Sequence, residues 1–198
     1  MQAPGYPYPA PPPKSGFPVW AIVLLSIGGV ALVVVVLIGV MAVLAISGVR
    51  GYLSASKSAE ATSTIGSISM DATAAYEEEQ LGSSSHVLCA SASHPVPVSI
   101  LQVSAKKYMS SSADWSGDPS DQGFTCLKFE MYSPQYYQYD YRRTGGATGA
   151  AVGDGFEVEA KGDLDGDGNL SSFKTTGSIV SAGSLMRSPT VTKVDPTE

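Results

Sequence analysis

A run of thirty residues without a formal charge, from Phe17 to Ile46, constrains this chain more than any other feature. An α-helix rises about 1.5 Å per residue, so about twenty apolar residues cross the hydrocarbon core of a membrane. A cleaved secretory signal has a basic start and a shorter apolar core of about 7 to 15 residues. The run therefore favours a retained transmembrane helix over residues 17–47. A cleaved signal, with small residues near Ala45 and Ser47, is the less favoured alternative.

The segment before this run, residues 1–16, contains six prolines. Each proline ring removes a backbone N–H donor, and the segment has little apolar surface to bury. We therefore expect a disordered tail or a leader. The alternative is a ligand for an aromatic groove, which we favour less than a spacer.

Beyond the apolar run, residues 48–81 keep the period of an amphipathic helix. Apolar residues recur at spacings of three and four and predict one narrow buried stripe. Ser47, Gly48 and Gly51 weaken the helix at its start, and Gly82 marks its end. Both segments together predict a rod of about 60 residues, about 90 Å if continuous. The stripe comprises Leu53, Ala61, Ile65, Ile68, Ala72, Ala75 and Tyr76.

The charge balance indicates which partners suit the rest of the chain. All eighteen acidic residues follow Arg50, so residues 51–198 carry ten basic and eighteen acidic residues, a net charge of −8. Such a surplus disfavours nucleic acid as a partner. Basic residues on the two sides of the apolar run nearly balance, so charge does not decide the orientation in the membrane.

Cys89 and Cys126 are the only two cysteines, and neither lies in a CxxC motif. An oxidising compartment would join them, and closing a loop of that size stabilises a small domain by about 3 to 4 kcal/mol. We therefore place the C-terminal domain outside the cytoplasm, in the periplasm or at the cell surface. Two free thiols in a cytosolic domain are the alternative.

Residues 82–180 show short strand patterns typical of an antiparallel sheet domain. Gly123–Tyr132 is predicted to be a central strand, and residues 135–143 form its hairpin partner because their tyrosines alternate. Residues 155–162 and 171–179 are predicted to form a second pair, which gives four strands in meander order. Residues 181–198 are predicted to be a C-terminal tail.

The tyrosine-rich segment allows two interpretations. Tyr132, Tyr136, Tyr137, Tyr139 and Tyr141 would pack with Trp115 between sheet and helix, which we favour, or form an exposed binding surface.

The turn Asp163-Leu164-Asp165-Gly166-Asp167-Gly168-Asn169-Leu170-Ser171 resembles the start of an EF-hand loop. Oxygens at alternate positions and a central glycine suit Ca²⁺, which takes many hard oxygen ligands. Position twelve is Lys174 instead of glutamate, and the flanks are predicted strands. A calcium site formed by Asp163, Asp165, Asp167, Asn169 and Ser171 and a simple aspartate-glycine hairpin turn both fit, and we favour the turn.

Catalytic chemistry has little support in the sequence. His86 and His94 lie in a Ser/Pro-rich loop around Cys89, but a zinc site needs four well-placed ligands. No GxSxG motif is present to mark a nucleophilic serine. We expect no enzyme activity, no catalytic residue and no cofactor beyond the candidate Ca²⁺.

The order of these parts resembles the type IV pilin-like proteins, over residues 14 to 179. The small-residue membrane helix, the Lys- and Glu-bearing helix after it and the late GDLDGDGN turn carry the resemblance. The resemblance implies an α+β fold, with a long N-terminal membrane-spanning helix packed on a four-stranded antiparallel sheet.

The resemblance also implies processing. In this family a peptidase cuts after a glycine that follows basic residues, and the new N-terminal phenylalanine is methylated. Gly16 and Phe17, after Lys14, match that pattern. The family's glutamate at the fifth mature position is Ala21 here, and the helix-bending proline is absent.

Two functions follow as hypotheses. The first is a structural subunit of a bacterial type IV pilus or a related secretion pseudopilus, whose partners are membrane lipid and other pilin-like subunits, itself included. The second is a membrane-tethered binding or adhesion module that does not polymerise.

Overall fold

A computed structural model describes residues 18–78 and 86–196, together with Gly5 and Gly16. The predictions for the rest of the tail, for Phe17 and for a helix end near Gly82 lie outside these residues. The chain divides into two compact units, Met1–Val49 and Arg50–Glu198.

The element order gives the α+β layout that the sequence predicts. A long apolar N-terminal helix is followed by short helices and then by an antiparallel sheet. The helices are α1 (Val19–Glu77), α2 (Ser112–Trp115) and α3 (Gly123–Leu127), with a 3₁₀ turn at Ile100–Gln102, and the strands are β1 (Gln138–Thr144), β2 (Gly155–Gly162), β3 (Ser171–Ser181), β4 (Ser184–Arg187) and β5 (Thr192–Val194).

The first part of α1 is uniformly apolar. Val19–Ile46 is long and apolar enough to cross a membrane, with a mean hydropathy of 3.1. Nearly all its described side chains are exposed. Because an apolar surface of this extent is unfavourable in water, the segment needs cover from lipid or from other chains. A signal sequence can have a comparable length and composition. Retention of this helix as a membrane anchor is therefore part of the proposed function.

The second part of α1 packs on the sheet through the predicted stripe. Ile65 and Ile68 are fully buried, Ala72 and Tyr76 nearly so, whereas Leu53 is exposed. The helix continues without interruption through Ser47, Gly48 and Gly51, where the sequence predicts lower helix stability. The boundary between the two compact units falls beside these residues.

The sheet has the strand order β1-β2-β3-β4, with β5 paired to β3. All pairs are antiparallel, and the predicted pairing of β2 with β3 around the acidic turn is confirmed. Side chains alternate between the two faces along each strand. The inner face packs on α1 and comprises Tyr137, Tyr139, Tyr141, Phe156, Val158, Ala160, Phe173 and Ile179, all at most 1% exposed.

The predicted strand Gly123–Tyr132 is wrong, and so is its hairpin with residues 135–143. Residues Gly123–Leu127 form α3, and β1 pairs with β2 instead. The two phenylalanines of residues 123–132 pack against Trp115, with ring centroids 4.9 Å away for Phe124 and 5.2 Å for Phe129. A short helix places Phe124 and Leu127 on the same side, and both side chains are buried. Burial around Trp115 therefore decides the conformation.

The predicted C-terminal tail contains two short strands, so the sheet has five strands rather than four. β4 pairs with the end of β3, and β5 pairs with its start at residues 172–174. Both lie on the edge of β3 that β2 leaves open. At three or four residues each, they are too short for the sequence pattern to separate them from loop.

The outer edge of β1 is covered by the segment 88–97. Ala92 N donates to Tyr141 O, and Val96 exchanges two backbone hydrogen bonds of 2.8 Å with Tyr139. This cover leaves few unpaired backbone groups on that edge of the sheet.

Candidate functional site

The disulfide between Cys89 and Cys126 is formed as predicted, with Cα atoms 5.9 Å apart. It joins the segment that covers β1 to the end of α3, two pieces of chain that lie outside the five strands of the sheet. The disulfide adds a covalent link beside the backbone hydrogen bonds of Ala90 to Asp121 and Gly123.

The acidic turn brings together three of the five predicted calcium ligands. Carboxylate oxygens of Asp163, Asp165 and Asp167 lie within 4.8 Å of one another. Asp163 is buried and accepts hydrogen bonds of 2.7 Å from Ser104 Oγ and from Gly166 N. Asp165 and Asp167 are exposed, and each accepts a hydrogen bond from a backbone N–H group two residues further along the turn. These carboxylates thus close the turn as well as offering oxygens to a hard cation.

The other two predicted ligands are placed differently. Ser171 is fully buried, and its hydroxyl donates to the carbonyl of Gly162 at 3.1 Å. The side-chain amide of Asn169 donates to Asp167 Oδ2 at 2.7 Å. Lys174, which stands at position twelve, pairs with Glu157 at 3.0 Å. Calcium binding stays a prediction, supported by the aspartates alone.

The tyrosine-rich segment is core, as favoured above. Tyr137, Tyr139, Tyr141 and Trp115 are at most 1% exposed, whereas Tyr132 is 71% exposed. Between residues 86 and 196 Tyr132 is the one exposed aromatic side chain. An extended aromatic binding surface is therefore absent from that range.

A polar contact between α1 and the start of β1 is not evident from the sequence pattern. The Glu60 carboxylate accepts a hydrogen bond of 2.8 Å from Tyr136 N and one of 3.4 Å from the Tyr139 hydroxyl. Burial raises the pKa of Glu60, although these bonds and the nearby Lys107 oppose the shift. Lys57 and Lys107 lie over the Tyr136 ring, 4.9 and 4.6 Å from its centroid. The cluster positions the helix on the sheet.

The two histidines have separate backbone partners. His86 Nδ1 lies 2.9 Å from Tyr76 O at the end of α1, and His94 Nδ1 lies 3.2 Å from Pro95 O. Cys89 between them is used by the disulfide. The disulfide therefore removes one of the three side chains that a zinc site here would use.

The outward side of the second part of α1 carries no charge between residues 52 and 76. The three charged residues there, Lys57, Glu60 and Asp71, are all half-buried on the flanks. The exposed residues are uncharged and mostly small: Tyr52, Leu53, Ala55, Ser56, Ala59, Ser63, Ser67, Met70 and Ala74. We call this set the outer face of α1.

Comparisons of the chain with protein-family models, with curated proteins and with solved structures give no match. The resemblance to type IV pilins therefore stays a prediction.

Proposed function

We propose that this chain is a pilin-like structural subunit of a bacterial type IV pilus or related secretion pseudopilus. Val19–Ile46 anchors it in the membrane, and α1 packs against copies of the same chain or similar subunits. The sheet domain, with its disulfide, lies outside the cytoplasm.

The observation that carries this proposal is the outer face of α1. A helix on the surface of a soluble domain normally has charged residues on its exposed side. Here that side is uncharged over about six turns and rich in alanine and serine. Small residues let helix backbones approach closely, which favours packing between helices.

The sheet of the same unit provides an internal comparison. Its outward face carries ion pairs between Arg142 and Asp140 at 2.7 Å and between Lys161 and Glu159 at 2.9 Å. Charged pairs of this kind are typical of a solvated face. One exposed face of the unit is thus suited to water, and the outer face of α1 is suited to a partner.

Charge insertion on the outer face tests the association. We expect Ser67→Glu and Ala74→Glu, both at exposed positions of this face, to lower the association constant about tenfold or more, because an unpaired carboxylate buried between helices costs more than the ~1.4 kcal/mol of a tenfold change. The full chain is measured by cross-linking in membranes and by light scattering in mild detergent. Ser178→Glu, at an exposed position of β3, is the matched control. A wild-type chain that is monomeric in both media overturns the proposal.

Processing is tested by intact mass of the native protein. Pilin-type maturation predicts loss of residues 1–16 and a methylated Phe17. An intact N-terminus together with no sheared filaments would limit the chain to a membrane protein that does not polymerise.

The alternative is a tethered binding or adhesion module. Its one structural support is Tyr132, which is exposed beside Glu130 and donates its hydroxyl hydrogen bond to that carboxylate. This alternative predicts a monomer in detergent and loss of surface binding in Tyr132→Ala.

A further inference from the structure

The chain has one asparagine, Asn169, and it begins the triplet Asn169-Leu170-Ser171. This triplet has the form Asn-x-Ser/Thr with x other than proline, the acceptor sequence for N-linked glycans in exported proteins. A three-residue match is weak by itself. Its value depends on where the fold places the asparagine and the serine.

The fold places Asn169 at an accessible position. It lies in a stretch of six exposed residues, 165–170, that connects β2 to β3. Its backbone N and its side-chain Nδ2 both donate to the carboxylate of Asp167, at 2.7 Å each. An amide that bears a saccharide keeps one hydrogen for that bond. A glycan there extends into solvent without displacing any core side chain.

The serine of the triplet is placed differently. Ser171 is fully buried in β3, and its hydroxyl donates to Gly162 O across the base of the hairpin. An enzyme that recognises this hydroxyl has no access to it once β2 and β3 have paired. Transfer must therefore precede closure of the hairpin.

We propose that Asn169 carries an N-linked glycan that is attached before the β2–β3 hairpin closes. Asn169 Nδ2 bonds to the anomeric carbon of a saccharide carried on a lipid-linked pyrophosphate. The bond from that carbon to the pyrophosphate oxygen breaks, the pyrophosphate leaves with the electron pair, and an amide proton passes to a base of the transferase. The inference rests on the extracytoplasmic location of the sheet domain, not on association through α1.

Peptide mass spectrometry of the full chain from its native membranes tests this inference. Cleavage after Lys161 and Lys174 releases the peptide 162–174. We expect this peptide to carry the mass of a saccharide on Asn169. Detection of the peptide in unmodified form only overturns the proposal and leaves the association proposal intact.

Variants separate the triplet from its surroundings. Asn169→Gln and Ser171→Ala are expected to lose the added mass, whereas Ser171→Thr keeps the hydroxyl and retains it. Asp165→Asn, in the same turn, is the control and retains the mass. If Ser171→Ala does not fold, the exposed Asn169→Gln and the conservative Ser171→Thr still test whether Asn169 carries the saccharide. Added mass that persists in Asn169→Gln shows that another residue carries it and overturns the assignment.

A separate experiment tests whether saccharide transfer precedes closure of the β2–β3 hairpin. Protein that folds in a host without the transferase is purified and added to native membranes. We expect it to stay unmodified while folded and to accept the saccharide when reduced and unfolded. Equal modification of the folded protein overturns the requirement for an open hairpin.

Discussion

Replacement of Ile65 by alanine measures how strongly α1 is packed on the sheet. Ile65 is fully buried among the core residues. The substitution removes three carbons, worth about 0.8 kcal/mol each in transfer from water, or about 2.4 kcal/mol. The cavity left in a close-packed core adds to this cost, and measured values for such changes are about 2 to 5 kcal/mol. We expect a loss of about 3 to 4 kcal/mol.

Met70→Ala is the matched control because it shortens a large apolar side chain on the same helix, five residues further on. Met70 is 55% exposed, so little buried surface is lost. Alanine also has the highest helix propensity. We expect the stability of this variant to stay within about 0.5 kcal/mol of the wild type.

Urea unfolding of the full chain, in detergent and at a concentration at which it is monomeric, provides the assay. Unfolding is followed by the near-ultraviolet signal of Trp115 and the buried tyrosines. Two-state fits give the free energy of unfolding and its urea dependence for each variant. If Ile65→Ala costs no more than Met70→Ala, the helix is not packed on the sheet in solution and the fold described above is wrong.

Three further predictions concern the disulfide, the Glu60 contact and the acidic turn. Cys89→Ala/Cys126→Ala is expected to lower the free energy of unfolding by about 4 kcal/mol, because the disulfide closes a loop with a sequence separation of 37; a loss below about 1 kcal/mol would contradict this. Glu60 has a raised pKa in the folded state, so its ionisation destabilises the fold as pH rises above the ordinary value of 4.5. Glu60→Gln should therefore gain stability relative to the wild type between about pH 4 and pH 7, and a constant difference over that range would refute the assignment. Calcium binding at the turn predicts a melting temperature that rises with added Ca²⁺ in the wild type and not in Asp165→Ala. An unchanged melting temperature in both proteins would refute calcium binding at the turn.

The parts of the fold that were predictable share a local cause. The apolar run, the stripe at Ile65, Ile68 and Ala72, and the β2–β3 pair all follow from periodicity in short windows. The disulfide was predictable because the chain contains only two cysteines.

The errors share the opposite cause. The segment Gly123–Tyr132 alternates like a strand, but contacts with Trp115, which lies outside that window, favour a helix at Gly123–Leu127. The strands β4 and β5 exist because β3 has an open edge for them, not because their own residues form a strong pattern. Long-range packing overrides weak local preference in both cases.

The candidate sites also separate into features with a local cause and features that depend on long-range contacts. The sequence by itself determined the long apolar helix, the acidic turn and the cysteine pair, because each depends on composition or on neighbouring residues. Only the tertiary structure decided that the tyrosines are core, that Ser171 bonds to Gly162 instead of joining the aspartates, and that the uncharged side of α1 faces outward. Which side chains are buried depends on contacts between residues far apart in the chain, and a local pattern does not contain those contacts.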